Sequence, residues 1–219
     1  MVACGLRYDA VIFDLDGVLC STDEYHYRAW KVVADELGVP FDRTINDRLR
    51  GVSRMASLEI VLERYDGVLS DAEKRALAEE KNEMYRAGLE NLRPSDVATG
   101  AREALAALGQ AGVKLAVGSS SKNTQLILGR IELSDAFDAV VDGNVIARSK
   151  PDPEVFLRAA GAVGIEPARC LVVEDAAAGV EAGHAGGMDV ATIGCAAREG
   201  LGEHRLCALM DLLGIVLVR

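Results

Sequence analysis

The chain has 219 residues, long enough for one large domain or for a core domain with a smaller insert. With 50% apolar and 26% charged residues it is neither disordered nor fibrous, and no apolar run is long enough to cross a bilayer. A net charge of −10 argues against a nucleic-acid surface, so an anionic ligand would need a locally positive pocket in an acidic surround.

Met1-Val2-Ala3-Cys4 leads almost directly into the first apolar run, 10–13. That leaves no room for a signal peptide and predicts a cytoplasmic protein. The run ends in Asp14-Leu15-Asp16-Gly17-Val18, two carboxylates two residues apart at the mouth of a buried strand, where desolvating them is costly. Residues 22–92 read as helices only, over 23–37, 42–49, 55–65 and 70–89. Ser70-Asp71-Ala72-Glu73 has the pattern of a capping box. From residue 99 onward the rhythm changes. Apolar runs at 114–118, 139–142, 170–173 and 189–193 alternate with helical stretches at 101–111, 124–131, 153–163 and 179–185. Gly112, Gly164 and Gly186-Gly187 stand at the helix ends. The stretch after Gly194 shows no usable pattern.

This alternation predicts an α/β fold, a Rossmann-like parallel sheet core with an inserted all-helical cap domain. The core would take residues 1–21 and 93–219, and the cap 22–92. Open α/β sheets bind ligands beyond the carboxyl ends of their strands, so an insert leaving the first strand would form a lid over that crevice.

The five cysteines, at 4, 20, 170, 195 and 207, have no CxxC or Cys/His zinc spacing and suit a reducing compartment. The three histidines are dispersed, so a metal would be held by oxygen and would be Mg²⁺ rather than zinc. Four segments fall at or just beyond strand ends: Asp14/Asp16, Ser119-Ser120-Ser121-Lys122-Asn123, Ser149-Lys150-Pro151-Asp152-Pro153 and Glu174-Asp175. Each supplies one part of a phosphoryl-transfer site. A carboxylate serves as nucleophile, hydroxyls and N–H groups at a helix start hold phosphate oxygens, a lysine offsets charge, and further carboxylates hold Mg²⁺. Singly, each also reads as a turn, an N-cap loop, a solvated lysine or helix-start acids. Their order along successive strand ends is the specific signal.

That order, with Asp-Leu-Asp-Gly-Val first, resembles the haloacid-dehalogenase superfamily of aspartate-nucleophile phosphotransferases. The resemblance implies that Asp14 attacks phosphorus and that Asp16 is the general acid/base. It also implies one Mg²⁺ per site, held by Asp14, the Asp16 backbone carbonyl, Glu174 and Asp175. Ser119 and Lys150 would grip the phosphoryl oxygens, with Ser121, Lys122 and Asn123 in the same phosphate loop. Within the insert, Thr22-Asp23-Glu24-Tyr25-His26-Tyr27-Arg28-Ala29-Trp30, Leu49-Arg50-Gly51-Val52-Ser53-Arg54 with Ser57, and Lys81-Asn82 resemble the β-phosphoglucomutase branch. By that resemblance Thr22 and His26 relay cap closure to Asp16. Trp30, Gly51, Val52, Ser53, Arg54, Ser57 and Lys81 would contact the sugar and its non-transferring phosphate.

The resemblance implies a small-molecule sugar phosphate as ligand and a monomer, with no nucleic-acid or membrane partner. The reaction expected is interconversion of β-glucose 1-phosphate and glucose 6-phosphate through an aspartyl phosphate and a sugar bisphosphate. A phosphatase of the same superfamily is the alternative, since it would share Asp14, Asp16, Lys150 and Asp175 without needing a second phosphate grip. A non-catalytic sugar-phosphate sensor has no use for a nucleophile beside a metal. His26 and Trp30 lie one turn apart on one helix face, where the indole reads equally as core or as ligand contact.

Overall fold

In a computed structural model, residues 5–218 are described. Met1 to Cys4, on which the reading of a short lead-in rests, lie outside the described residues. In chain order the elements are β1 (Gly5–Leu6), β2 (Ala10–Phe13), α1 (Asp23–Glu36), α2 (Arg43–Asp47), α3 (Arg54–Val61), α4 (Asp71–Leu89), α5 (Ala101–Gln110), β3 (Lys114–Gly118) and α6 (Thr124–Arg130). There follow β4 (Ala139–Val141), α7 (Glu154–Val163), β5 (Cys170–Glu174), α8 (Ala177–Ala185), β6 (Asp189–Thr192), α9 (Gly194–Glu199), β7 (His204–Arg205), α10 (Leu212–Val216) and β8 (Leu217–Val218).

Six parallel strands form one sheet in the order β4-β3-β2-β5-β6-β7, and β1 pairs with β8 in an antiparallel ribbon. β2 is central and wholly buried, which explains why its sequence is a continuous apolar run rather than an alternating one. Its two faces feed two cores. Val11 and Phe13 join a cluster with Leu105, Leu108, Val117 and Val173, whereas Ala10 and Ile12 pack with Val155, Phe156, Val172 and Val190.

The helical stretch between β2 and β3 has a core of its own, in which Trp30, Val33, Ala34, Phe41, Leu58, Val61 and Ala78 meet. On α1 the buried positions Ala29, Trp30, Val33 and Ala34 recur at helical spacing. α4 starts at the expected capping box, with the Ser70 hydroxyl accepting from the Glu73 N–H and the Glu73 carboxylate accepting from the Ser70 N–H. Its buried face carries Ala78, Lys81, Asn82, Tyr85 and Leu89. A lysine and an asparagine on the inner side of a helix need polar partners there. The insert leaves and rejoins the sheet at one place, where Cys20 bridges to Val97 and the Ala98 N–H donates to the Leu19 carbonyl at 2.8 Å.

The structure adjusts several boundaries. The expected 55–65 helix is α3 followed by a 3₁₀ turn, Leu62–Arg64. The expected 42–49 helix is only Arg43–Asp47, since Asp42 is its N-cap and accepts from the Ile45 N–H at 2.9 Å. The helix expected from 179 starts at Ala177. The strand expected over 139–142 ends at Val141, because the Asp142 carboxylate turns the chain by accepting from the Asn144 N–H. From Gly194, where the sequence shows no pattern, the described residues form two α-helices, a 3₁₀ turn and two very short strands.

Trp30 is 1% exposed at the centre of the insert. Trp30→Ala is expected to cost about 3–5 kcal/mol. Hydrogen exchange should accelerate in α1, α3 and α4 while the six-stranded sheet stays protected; uniform loss of protection would mean that insert and sheet unfold as one.

Candidate active site

Register pairs Phe13 with Val117 on one side and with Val173 on the other. Asp14, Gly118-Ser119 and Glu174-Asp175 therefore emerge side by side at the carboxyl ends of three adjacent strands. Asp14 is 6% exposed and its Oδ1 accepts from Lys150 Nζ at 2.5 Å. The same ammonium donates to Glu174 Oε1 at 2.6 Å. Glu174 Oε2 accepts from the N–H groups of Asp175 and Ala176, at 2.9 and 3.0 Å. Two glycines make room for this cluster. A Cβ on Gly17, which has φ +80°, would fall 2.1 Å from Asp175 Oδ2, and one on Gly179 would fall 1.8 Å from Glu174 Oε1.

Burial opposes the charge of Lys150, but Asp14 and Glu174 outweigh it and hold the ammonium firmly protonated. Burial also pushes the Asp14 carboxyl up, against the pull of Lys150. Asp175 rises to about 7, through burial and then the charge of Glu174, with Arg50 partly offsetting both. Oxygen atoms of Asp14, Glu174 and Asp175 all lie within 4.8 Å of one another. This buried oxygen-only set, with three carboxylates facing one enclosed ammonium, fits a hard divalent cation.

The Asp16 carboxylate turns toward the start of the insert. Its Oδ1 accepts from the Thr22 N–H at 2.9 Å and from the Thr22 hydroxyl at 2.5 Å. Its Oδ2 is 3.8 Å from His26 Nε2. The other ring nitrogen of His26, Nδ1, is 2.7 Å from Lys81 Nζ. Burial, then the charges of Lys81 and Arg54, depress His26, so the imidazole is neutral and accepts at Nδ1. Burial and Arg54 bring Lys81 down to about 7.

The remaining expected residues fall at several stations. Ser119 is buried, and its hydroxyl accepts from the Ser121 N–H at 3.2 Å; Ser121 in turn caps the Asn123 N–H at 3.1 Å. Asn123 Nδ2 crosses to the insert, donating to Asn82 Oδ1 at 3.0 Å. Lys122 of the same loop is exposed. Gly51 has φ +75°, and its Cβ position lies 3.5 Å from the Ala176 methyl, so this insert loop touches the turn after β5. Ser53 is the N-cap of α3 and accepts from the Ala56 N–H at 3.2 Å, Ser57 is buried behind it, and Val52 is half-buried. Arg54 is paired with Glu79 at 2.9 Å. The Trp30 ring packs in the insert core, with Lys81 Nζ 4.9 Å from its centroid.

Three residues outside the expected set belong to this cluster. Arg50 reaches across from the insert to Asp175 at 3.5 Å while paired with Asp23 at 3.2 Å. Tyr85 bonds the Thr22 hydroxyl. Asn82 receives Asn123. Arg50 sits one residue before Gly51 in the string that drew attention to Arg54, so proximity was its only signal. Tyr85 had the spacing signal, four residues after Lys81 on one helix face.

A strand-end aspartate, buried lysine and paired acids in this order define a phosphoryl-transfer fold, and the profile of the haloacid dehalogenase-like hydrolases matches residues 8–187. The chain belongs to that family. It is 42% identical over 188 residues to the β-phosphoglucomutase of Bacillus subtilis, covering 84% of this chain and 83% of that one. It is 32% identical to a phosphorylated carbohydrates phosphatase of Thermotoga maritima, covering 83% and 82%. The crystal structure of β-phosphoglucomutase from Clostridium difficile superimposes with a TM-score of 0.89 at 33% identity, covering 94% of this chain and 93% of that one.

The raised Asp175 carboxyl sets a pH dependence. Without metal the folded state holds a proton on Asp175 up to about pH 7 that the unfolded chain releases near its ordinary value of 3.8. This contribution to stability is therefore lost as pH rises through that window. A divalent cation replaces the proton, so the rise in Tm on adding Mg²⁺ should be larger at about pH 8 than at about pH 5.5. An equal rise at both would remove Asp175 from the metal set.

Proposed function

We propose that the chain is a β-phosphoglucomutase, interconverting β-D-glucose 1-phosphate and glucose 6-phosphate through an aspartyl phosphate and glucose 1,6-bisphosphate. The observation that carries this reading is the set of polar contacts that the insert makes around the strand ends. Arg50 reaches Asp175, Asn82 bonds Asn123, and His26 faces Asp16. A phosphatase discharges its phosphoenzyme to water and needs no such closure. A mutase must exclude water and hold a sugar hydroxyl in line, and well-oriented groups reach effective molarities of roughly 10⁵ M or more. The likeness to β-phosphoglucomutases supports the same choice. Residues 1–21 and 93–219 act as the core and 22–92 as the cap.

In this cycle phosphorylated Asp14 meets β-glucose 1-phosphate. The sugar 6-hydroxyl attacks phosphorus, the bond from phosphorus to the Asp14 oxygen breaks, and Asp16 takes the hydroxyl proton. The bisphosphate then turns round. Asp14 attacks the phosphorus of the 1-phosphate, the bond to O1 breaks, and Asp16 returns its proton to the leaving oxygen. Lys150 and Ser119 hold the transferring oxygens, with Ser121, Lys122 and Asn123 in the same loop, while Arg54 and Lys81 take the distal phosphate. Arg54 must leave Glu79 to do so. Gly51, Val52, Ser53, Ser57 and Trp30 shape the sugar pocket around them. Mg²⁺, held by Asp14, Glu174, Asp175 and the Asp16 carbonyl, would offset charge on the phosphoryl group. We infer a monomer in the cytoplasm, the compartment being supported by four cysteines without a disulfide among the described residues.

Supplied with β-glucose 1-phosphate, a trace of the bisphosphate and Mg²⁺, the protein should form glucose 6-phosphate with little inorganic phosphate. Mostly inorganic phosphate would make it a phosphatase. Asp14→Asn should abolish turnover. Asp16→Asn should retain sugar-phosphate binding and slow transfer by about 10²–10⁴-fold.

A further inference from the structure

Tyr85 is a buried polar group to which the cycle above gives no task. It is 1% exposed, and its hydroxyl lies 2.8 Å from Thr22 Oγ1, its one hydrogen-bond partner among the described residues. Thr22 is wholly buried, and its hydroxyl is in turn 2.5 Å from Asp16 Oδ1. The ring of Tyr85 lies against that of His26, with centroids 4.0 Å apart. One aromatic side chain therefore touches both groups that face Asp16.

Counting protons fixes the direction of this chain. A buried hydroxyl that does not donate leaves its proton unpartnered, which costs as much as the bond itself is worth. Tyr85 has only Thr22 to donate to, and the Thr22 oxygen, so occupied, must send its own proton to Asp16. Asp16 Oδ1 also accepts the Thr22 N–H, which requires that this oxygen act as acceptor twice over. We propose that Tyr85 is a positioning residue, the head of a one-way chain from its O–H through the Thr22 O–H to Asp16 Oδ1. The chain locks Asp16 in a resting pose, with Oδ2 facing His26.

This inference rests on the mutase reading for its consequence. While Asp16 is locked, it cannot serve the wasteful reaction of the phosphoenzyme. In that reaction a water oxygen bonds to phosphorus and the Asp14–phosphate bond breaks. The water proton passes to Asp16, Asp14 leaves as carboxylate, and inorganic phosphate departs. Donor chains strengthen one another, so removing the first hydroxyl weakens the hold of the second.

Tyr85→Phe keeps the ring against His26 and removes only the proton at the head of the chain. Partitioning of the phosphoenzyme toward water over sugar should rise about fivefold, the loss of one hydrogen bond, with KM for the sugar phosphate kept within roughly twofold. In the ligand-free protein the Thr22 amide proton should move upfield as its bond to Asp16 loosens. An unchanged partition ratio together with an unmoved Thr22 amide would overturn the proposal. A parent protein that forms no phosphoenzyme would overturn the mutase reading instead, and the amide shift alone then decides whether Tyr85 directs Asp16.

Discussion

The rest of the site depends on one ammonium shared between two buried carboxylates. Lys150 has no exposed side-chain surface, and Asp14 and Glu174 have almost none. A carboxylate so enclosed would take up a proton if it stood alone, and a protonated acid is no nucleophile. Burial raises the Asp14 carboxyl and the Lys150 ammonium pulls it back toward the ionised form, while the two N–H groups at the start of the turn after β5 hold Glu174 in place to receive the other side of the ammonium. The arrangement needs three separate chain segments at one level. That is what adjacent parallel strands with matched register supply. Breaking any one pairing would leave a charge buried without a partner, which costs far more than a surface ion pair is worth.

The insert turns this charged pocket into a site with a choice. Beside its surface ion pairs, the insert carries polar residues that face inward. Lys81, Asn82 and Tyr85 occupy the inner face of one helix, and each meets a group at the boundary with the sheet. The carboxyl at position 16 is bound to the first residues of the insert and not to Asp14 beside it. The position of the insert and the position of that carboxyl are therefore coupled through Thr22, and a shift of one must strain the other. Such coupling lets binding energy from a distant phosphate reach the reacting centre. The neutral His26 and the lowered Lys81 belong to the same economy of charge: a second full cation beside Arg54 would be repelled from an enclosed pocket.

Much of this was legible in the sequence. The central strands showed as apolar runs because both faces of a parallel sheet are covered, and the helical stretch showed as a break in the βα rhythm. Asp14 and Glu174-Asp175 were readable because they stand at strand ends, and Lys150 because it falls in the loop that leads from β4 into α7. What was not legible had specific causes. The elements after Gly194 are short, and β7 and β8 have two residues each, below the length at which periodicity exists. Arg50 was hidden because an arginine beside a loop glycine is ordinary until Asp175 is found across the cleft. Tyr85 shares a helix face with Lys81, but only the fold brings it to Thr22, 63 positions away. The pairing of Arg54 with Glu79 likewise depends on two helices meeting, which the linear pattern does not announce.

The most direct test of this account is to find where phosphorus becomes bound. The protein is incubated with glucose 1,6-bisphosphate and Mg²⁺, quenched in acid, digested and read by mass spectrometry. The expected result is a hydroxylamine-labile acyl phosphate on the peptide that carries Asp14, absent from Asp14→Asn. Phosphate on any other residue, or none while glucose 6-phosphate still accumulates, would contradict it.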